Sequence, residues 1–121
     1  MFAKTIIHDP NIILLDNIFS GMDSIFKNKI ISYLKQLKNK TIIIVTNNSE
    51  DILLADKIII FNDGSVIECG NRDDILSNEK LFIKNDINMP FIVELSHKLK
   101  SYELIDDIIL DEKEMVNDIW K

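Results

Sequence analysis

Glycine, cysteine and basic residues are all scarce in this 121-residue chain, and each shortage removes a class of function. Only Gly21, Gly64 and Gly70 are present, and none precedes a Lys-Ser or Lys-Thr pair. A glycine-rich loop whose backbone amides cradle phosphate is therefore absent. The lone Cys69 excludes an intramolecular disulfide and fits a reducing compartment, where packing is its expected role. Lys and Arg number 14 against 20 Asp and Glu, a net charge of −6. That balance argues against nucleic acid as a partner, since nonspecific binding needs clustered cations. No stretch approaches the roughly 18–20 apolar residues of a membrane-spanning helix. Met1-Phe2-Ala3-Lys4 also lacks a basic-then-apolar leader layout. A soluble intracellular chain is the expectation. His8 and His97 stand apart from any Cys or His at metal-ligand spacing, and surface or core-edge roles are expected for both. The acidic residues between Asp106 and Glu114 fit solvated capping better than metal binding.

What remains is a chain with 46% hydrophobic side chains, enough for one compact domain or part of a larger one. Residues 2–8 have the character of a helix end, closed by Asp9-Pro10. Residues 12–15 form an apolar run without alternation, the pattern of a strand buried on both faces in a parallel sheet. Asp23 or Ser24 can cap a helix to about residue 38, with Phe26, Ile30, Tyr33, Leu34 and Leu37 at helical spacing. A second apolar strand covers residues 41–46, and Ser49 is expected to cap a short helix through Ala55. A third strand over 57–61 meets Asn62-Asp63-Gly64, a tight-turn signal, and pairs with 65–68 as a hairpin. Asn71 and Asp74 have capping-box spacing ahead of a helix to Leu76. The fold class is α/β: strand, helix, strand, helix, strand and hairpin, as in half of a larger sheet.

After Ser77-Asn78-Glu79-Lys80, a polar break, no sheet-like run recurs. Pro90 stands at the start of a helix running to about Lys100, and Asp111-x-x-Glu114 opens a terminal helix. Residues 78–121 therefore read as a helical extension of the α/β part, residues 1–77.

The richest stretch is Ile12-Ile13-Leu14-Leu15-Asp16-Asn17-Ile18-Phe19-Ser20-Gly21-Met22-Asp23. A parallel strand of this kind delivers its carboxylate at the carboxyl edge of the sheet, where open α/β folds place ligands. An isolated aspartate there would be no more than a helix cap. In its full context, the stretch resembles the Walker B strand and D-loop of ATP-binding-cassette ATPases. Residues 42–46 followed by Asn47-Asn48-Ser49-Glu50-Asp51 resemble that family's switch strand and loop. Ala55-Asp56-Lys57 and Asp63-Gly64 through Gly70 resemble its closing strand and hairpin, and Ala3 to Pro10 the tail of the helix after its Leu-Ser-Gly-Gly-Gln signature. The extension, with Met89-Pro90-Phe91-Ile92-Val93-Glu94-Leu95-Ser96-His97-Lys98-Leu99 and Glu112-Lys113-Glu114-Met115-Val116, is similar to the C-terminal region of energy-coupling-factor transporter ATPases.

The resemblance implies the C-terminal half of a P-loop NTPase sheet-and-helix domain. It also implies ATP and Mg²⁺ as cofactors, with Asp16 holding Mg²⁺ through water. Ser20, Gly21, Met22 and Asp23 would be the D-loop at a subunit interface, and Phe91, Leu95 and Leu99 would help two ATPase subunits meet. Implied partners are a second, identical or related ATPase subunit, a membrane coupling subunit and a substrate-binding membrane protein. Such a complex would place the chain in the cytoplasm, on the inner face of the membrane. Its function would be that of the ATP-binding subunit of an importer for vitamins or metal ions.

Two catalytic positions depart from the family. Asn17 stands where a glutamate polarises the attacking water, and an amide is no general base near pH 7. Asn47 stands where the switch histidine contacts the γ-phosphate, and an amide there has no titratable proton. Ile18 and Phe19 replace the usual Pro-Thr. The chain alone is therefore expected not to hydrolyse ATP. The alternative is a non-catalytic interaction module that docks a partner ATPase. An in-frame Walker A and signature segment upstream of Met1 would favour the transport subunit; a start at Met1 would favour the module. A strand lacking its neighbour should leave apolar surface exposed and the chain marginally stable or self-associating.

Overall fold

A computed structural model describes residues 2–120; Met1 and Lys121, the outer ends of the two expected segments, lie outside the described residues. The chain divides into two compact units, Met1–Asn47 and Asn48–Lys121.

The first unit is a βαβ element. Helix α1 (Phe2–Ile6) ends before Asp9, whose left-handed backbone (φ 48°) turns the chain toward strand β1 (Ile12–Asp16). Lys40 fixes that turn from the other end of the connection. Its ammonium pairs with the Asp9 carboxylate at 2.7 Å and donates to the Asp9 carbonyl at 3.0 Å. Helix α2 (Ser24–Gln36) carries the chain to strand β2 (Thr41–Val45), which runs parallel to β1 with Ile12 opposite Thr41 and Asp16 opposite Val45. Asp23, not Ser24, is the α2 cap: its carboxylate accepts from the Phe26 N–H at 2.9 Å. Of the five apolar positions expected to line this helix, Ile30 and Leu34 are buried, whereas Phe26 and Tyr33 are exposed. Tyr33 instead meets Phe2 edge-on, with ring centroids 6.1 Å apart.

Strand β1 corrects the expectation of burial on both faces. Ile13 and Leu15 are buried, but Ile12 and Leu14 are 64% and 62% exposed. The parallel register puts Ile12 and Leu14 on the same face as Ile43 and Val45, which are also exposed. An unbroken aliphatic run specifies a strand but not the layers that cover it.

The second unit begins with a 3₁₀ helix (Ser49–Leu54), capped by Asn48 rather than Ser49: the Asn48 side chain accepts from the Glu50 N–H at 3.2 Å. Strands β3 (Lys57–Asn62) and β4 (Ser65–Asn71) form an antiparallel hairpin, so the described strands make two separate two-stranded sheets. Asp63 (φ 47°) and Gly64 (φ 74°) are both left-handed, the geometry of a two-residue turn that follows sheet twist. Strand β4 continues three residues beyond the expected end, to Asn71. There the Asn71 side chain caps no backbone group of helix α3 (Arg72–Leu76) but donates to Asp74 at 3.4 Å.

Helix α4 (Glu79–Lys84) lies where the sequence suggested only a polar break, because Asn78 is itself an N-cap, accepting from the Leu81 N–H at 3.3 Å. Helix α5 (Phe91–Ser101) starts after Pro90, and α6 (Glu112–Ile119) is capped by Asp111, which accepts from the N–H groups of Lys113 and Glu114, each at 3.0 Å. One apolar core joins Ile58 and Ile60 of the hairpin, Ile75 and Leu76 of α3, Phe82 of α4, Ile92 and Val93 of α5, Ile105, Ile109, and Met115 of α6. It thus draws on both sides of residue 77. Two polar ties reinforce it: buried Ser96 accepts from the Ile109 N–H at 2.7 Å, and His97 Nε2 meets the Leu76 carbonyl at 2.8 Å. No described helix is long and apolar enough to cross a membrane.

Candidate functional site

The carboxyl edge of the parallel sheet gathers the candidate chemistry of the first unit. Because the strands are parallel and in register, Asp16 at the end of β1 lies opposite Val45 at the end of β2, and Asn47 follows two residues on. The Asn17 N–H donates to the Val45 carbonyl at 2.8 Å, which closes the edge between the strand ends. Asn17 is left-handed (φ 46°), a conformation that Asn tolerates better than most residues. Its side-chain amide lies 3.4 Å from Asp16 Oδ1, a long contact between exposed groups. Asp16, Asn17 and Asn47 are all exposed.

The segment after Asn17 folds into successive turns. The Ser20 N–H donates to the Asn17 carbonyl and the Met22 N–H to the Phe19 carbonyl, both at 3.2 Å. Gly21, with φ 71°, supplies a left-handed step between Ser20 and Met22 that a side chain would oppose. Phe19 is buried and anchors the loop, with the Lys27 ammonium 5.0 Å above its ring. Ser20 and Gly21 stay exposed, and the Asp23 carboxylate is used by the α2 N-terminus.

In the second unit, Phe91 is 66% exposed at the start of α5, while Leu95 and Leu99 are half-buried and Leu99 packs against the core. Glu50, named in the sequence only as part of the switch-loop resemblance, accepts from the Phe91 N–H through its Oε1 at 2.7 Å. No local pattern could have signalled a contact across 41 residues.

No protein-family model matches the chain. Curated proteins do. The energy-coupling factor transporter ATP-binding protein of Mesomycoplasma hyopneumoniae strain 7448 is 34% identical over 98% of this chain and 43% of its own length. The corresponding protein of Malacoplasma penetrans strain HF-2 is 30% identical over 98% of this chain and 42% of its own. That of Caldanaerobacter subterraneus subsp. tengcongensis is 30% identical over 98% and 44%. Nearly the whole chain matches part of the energy-coupling factor transporter ATP-binding proteins. It spans less than half the length of these relatives.

Against the chemistry implied by this family, the edge is incomplete. Asp16 offers a single exposed carboxylate. The described residues contain no group of three His, Cys, Asp or Glu side chains placed to hold a metal ion. Neither Asn17 nor Asn47 can accept a proton from water near neutral pH. These residues do not fit a self-contained Mg²⁺–ATP site. They can orient water and donate hydrogen bonds at a strand edge, and no hydrolytic step follows from them.

Proposed function

We propose that this chain supplies the C-terminal part of the ATP-binding subunit of an energy-coupling-factor-type importer of vitamins or metal ions, and does not turn over ATP alone. In this reading residues 1–77 are the C-terminal half of a P-loop NTPase domain and residues 78–121 its helical extension. Asp16 is the Walker B carboxylate and serves Mg²⁺–ATP through water once phosphate-binding groups are supplied. Asn17 and Asn47 occupy the water-polarising and switch positions. Ser20, Gly21, Met22 and Asp23 face a second ATPase subunit, as do Phe91, Leu95 and Leu99. A membrane coupling subunit and a substrate-binding membrane protein complete the assembly, on the cytoplasmic face of the membrane. The observation that carries the reading is the match of 98% of the chain to energy-coupling factor transporter ATP-binding proteins.

A second reading is favoured by one specific observation, the two amides at Asn17 and Asn47. In it the chain is a non-catalytic module that docks a partner ATPase. Losing a positioned general base typically removes about 10²–10⁴ in rate, so either reading leaves this edge hydrolytically silent. Both are tested by co-producing the tagged chain with the coupling subunit and the second ATPase subunit of one organism. Stoichiometric co-purification from detergent-solubilised membranes is expected. A chain that purifies free of both subunits overturns the two readings together. Recovery with the ATPase subunit alone favours the module.

A further inference from the structure

Helix α5 begins without a cap of its own. Pro90 has no N–H and makes no side-chain capping bond; its carbonyl accepts from Val93 at 3.1 Å and Glu94 at 3.0 Å. The Phe91 N–H, one of the amides that a helix start leaves unpaired, is satisfied by the Glu50 carboxylate at 2.7 Å. A carboxylate at this end is also favoured by the helix dipole. The backbone of Glu50 belongs to a different element. Its N–H is held by the Asn48 side chain at the first turn of the 3₁₀ helix. The far end of that helix is held as well: Arg72 Nη1 donates to the Leu53 carbonyl at 3.3 Å, and the Arg72 N–H to the Asp56 carbonyl at 3.0 Å. One residue therefore joins the segment that directly follows Asn47 to the start of the helix bearing Phe91, Leu95 and Leu99.

We propose that Glu50 is a positioning residue that couples the N-terminus of α5 to the 3₁₀ helix after Asn47, so that a displacement of either is transmitted to the other. The proposal rests on the reading above of Asn47 as the switch position and α5 as a subunit-contact helix. In that setting, docking of a second ATPase subunit on α5 is communicated to the switch segment through the Glu50 carboxylate.

The coupling can be cut from either side. Phe91→Pro deletes the donor at a helix position that favours proline, and Pro90 already has the extended ψ of 141° that a following proline requires. Phe91→Ala keeps the donor and removes the same exposed ring. Amide hydrogen exchange in the 121-residue chain is the readout. Phe91→Pro, but not Phe91→Ala, is expected to speed exchange across Ser49–Leu54 by about three- to ten-fold, the scale of a lost cap. Reciprocally, Glu50→Ala should speed exchange of the Phe91 and Ile92 amides by a similar factor, and Glu50→Gln by less. Equal exchange over Ser49–Leu54 in Phe91→Pro and Phe91→Ala overturns the proposal. So does a Glu50→Ala chain with unchanged α5 amides, the deciding arm if Phe91→Pro unfolds the helix. Coupled exchange in a chain that fails to co-purify with transporter subunits would leave the tether standing and remove the functional reading.

Discussion

The two units bury alternate residues of β1 and β3 alike but differ in how much packs on the buried face. In Asn48–Lys121, the hairpin turns Ile58 and Ile60 onto a core closed by four helices, and ten buried apolar residues form one cluster. In Met1–Asn47, the strands bury Ile13 and Leu15 and leave Ile12, Leu14, Ile43 and Val45 open, much as the hairpin leaves Ile59, Phe61 and Val66 open. Hydrophobicity along a strand therefore does not measure how well it is covered. The unit with the candidate chemistry has the thinner core, and the unit with the helical extension has the thicker one.

The largest test of this contrast sets Phe82→Ala against Leu14→Lys. Phe82 is 2% exposed within the cluster, so its truncation should cost about 3–5 kcal/mol in urea unfolding followed by circular dichroism. Leu14→Lys, on the open face, should change stability by no more than about 0.5 kcal/mol. It should also lower self-association in sedimentation velocity, because a charge breaks the exposed apolar face. Comparable destabilisation by the two would contradict the open face of β1, and a wild-type chain that is monomeric with a sharp reversible transition would contradict its self-association.

A smaller effect is expected at the strand edge. Asn17 holds a left-handed backbone, so Asn17→Ala should cost about 1 kcal/mol while Asn17→Gly is close to neutral. A glutamate placed there would meet the same steric resistance as alanine. If Asn17→Ala and Asn17→Gly unfold at the same denaturant concentration, the backbone places no demand on this position.

The smallest effect concerns Lys98 in the second unit. Its hydrogen bond and charge interaction with Glu94, at 2.5 Å, raise the ammonium pKa above its ordinary 10.5. A raised pKa in the folded state gives a contribution fully present below 10.5 and lost as pH rises through the higher value. The pair is exposed and separated by one helical turn, so Lys98→Ala should leave unfolding at pH 7 unchanged within error. Any difference between wild type and Lys98→Ala should narrow, not widen, as pH rises through the raised pKa.

Much of this architecture was written in local residue choices. Asp23-Ser24 and Asp111 marked helix starts because capping acts within three or four residues, Pro90 because proline is tolerated where a helix begins, and Asp63-Gly64 marked the hairpin because its left-handed turn admits few residue types. The carboxyl-edge position of Asp16 followed from the strand-then-helix order alone. What escaped was one ambiguous local cap and whatever depended on distance. Helix α4 hid behind Asn78, where a capping residue and a loop residue look alike. Exposed apolar surface followed from a strand lacking its neighbour, but which β1 residues bear it is set by what packs on the strand. The Glu50–Phe91 bond joins residues 41 apart and leaves no periodic trace.

The central proposal is that the edge formed by Asp16, Asn17 and Asn47 keeps the Walker B carboxylate without the groups that activate water. Phosphate release from Mg²⁺–ATP by the purified chain, beside its Asp16→Ala variant, tests it most directly. The account predicts that both match a protein-free blank; turnover above the blank that Asp16→Ala abolishes would contradict it.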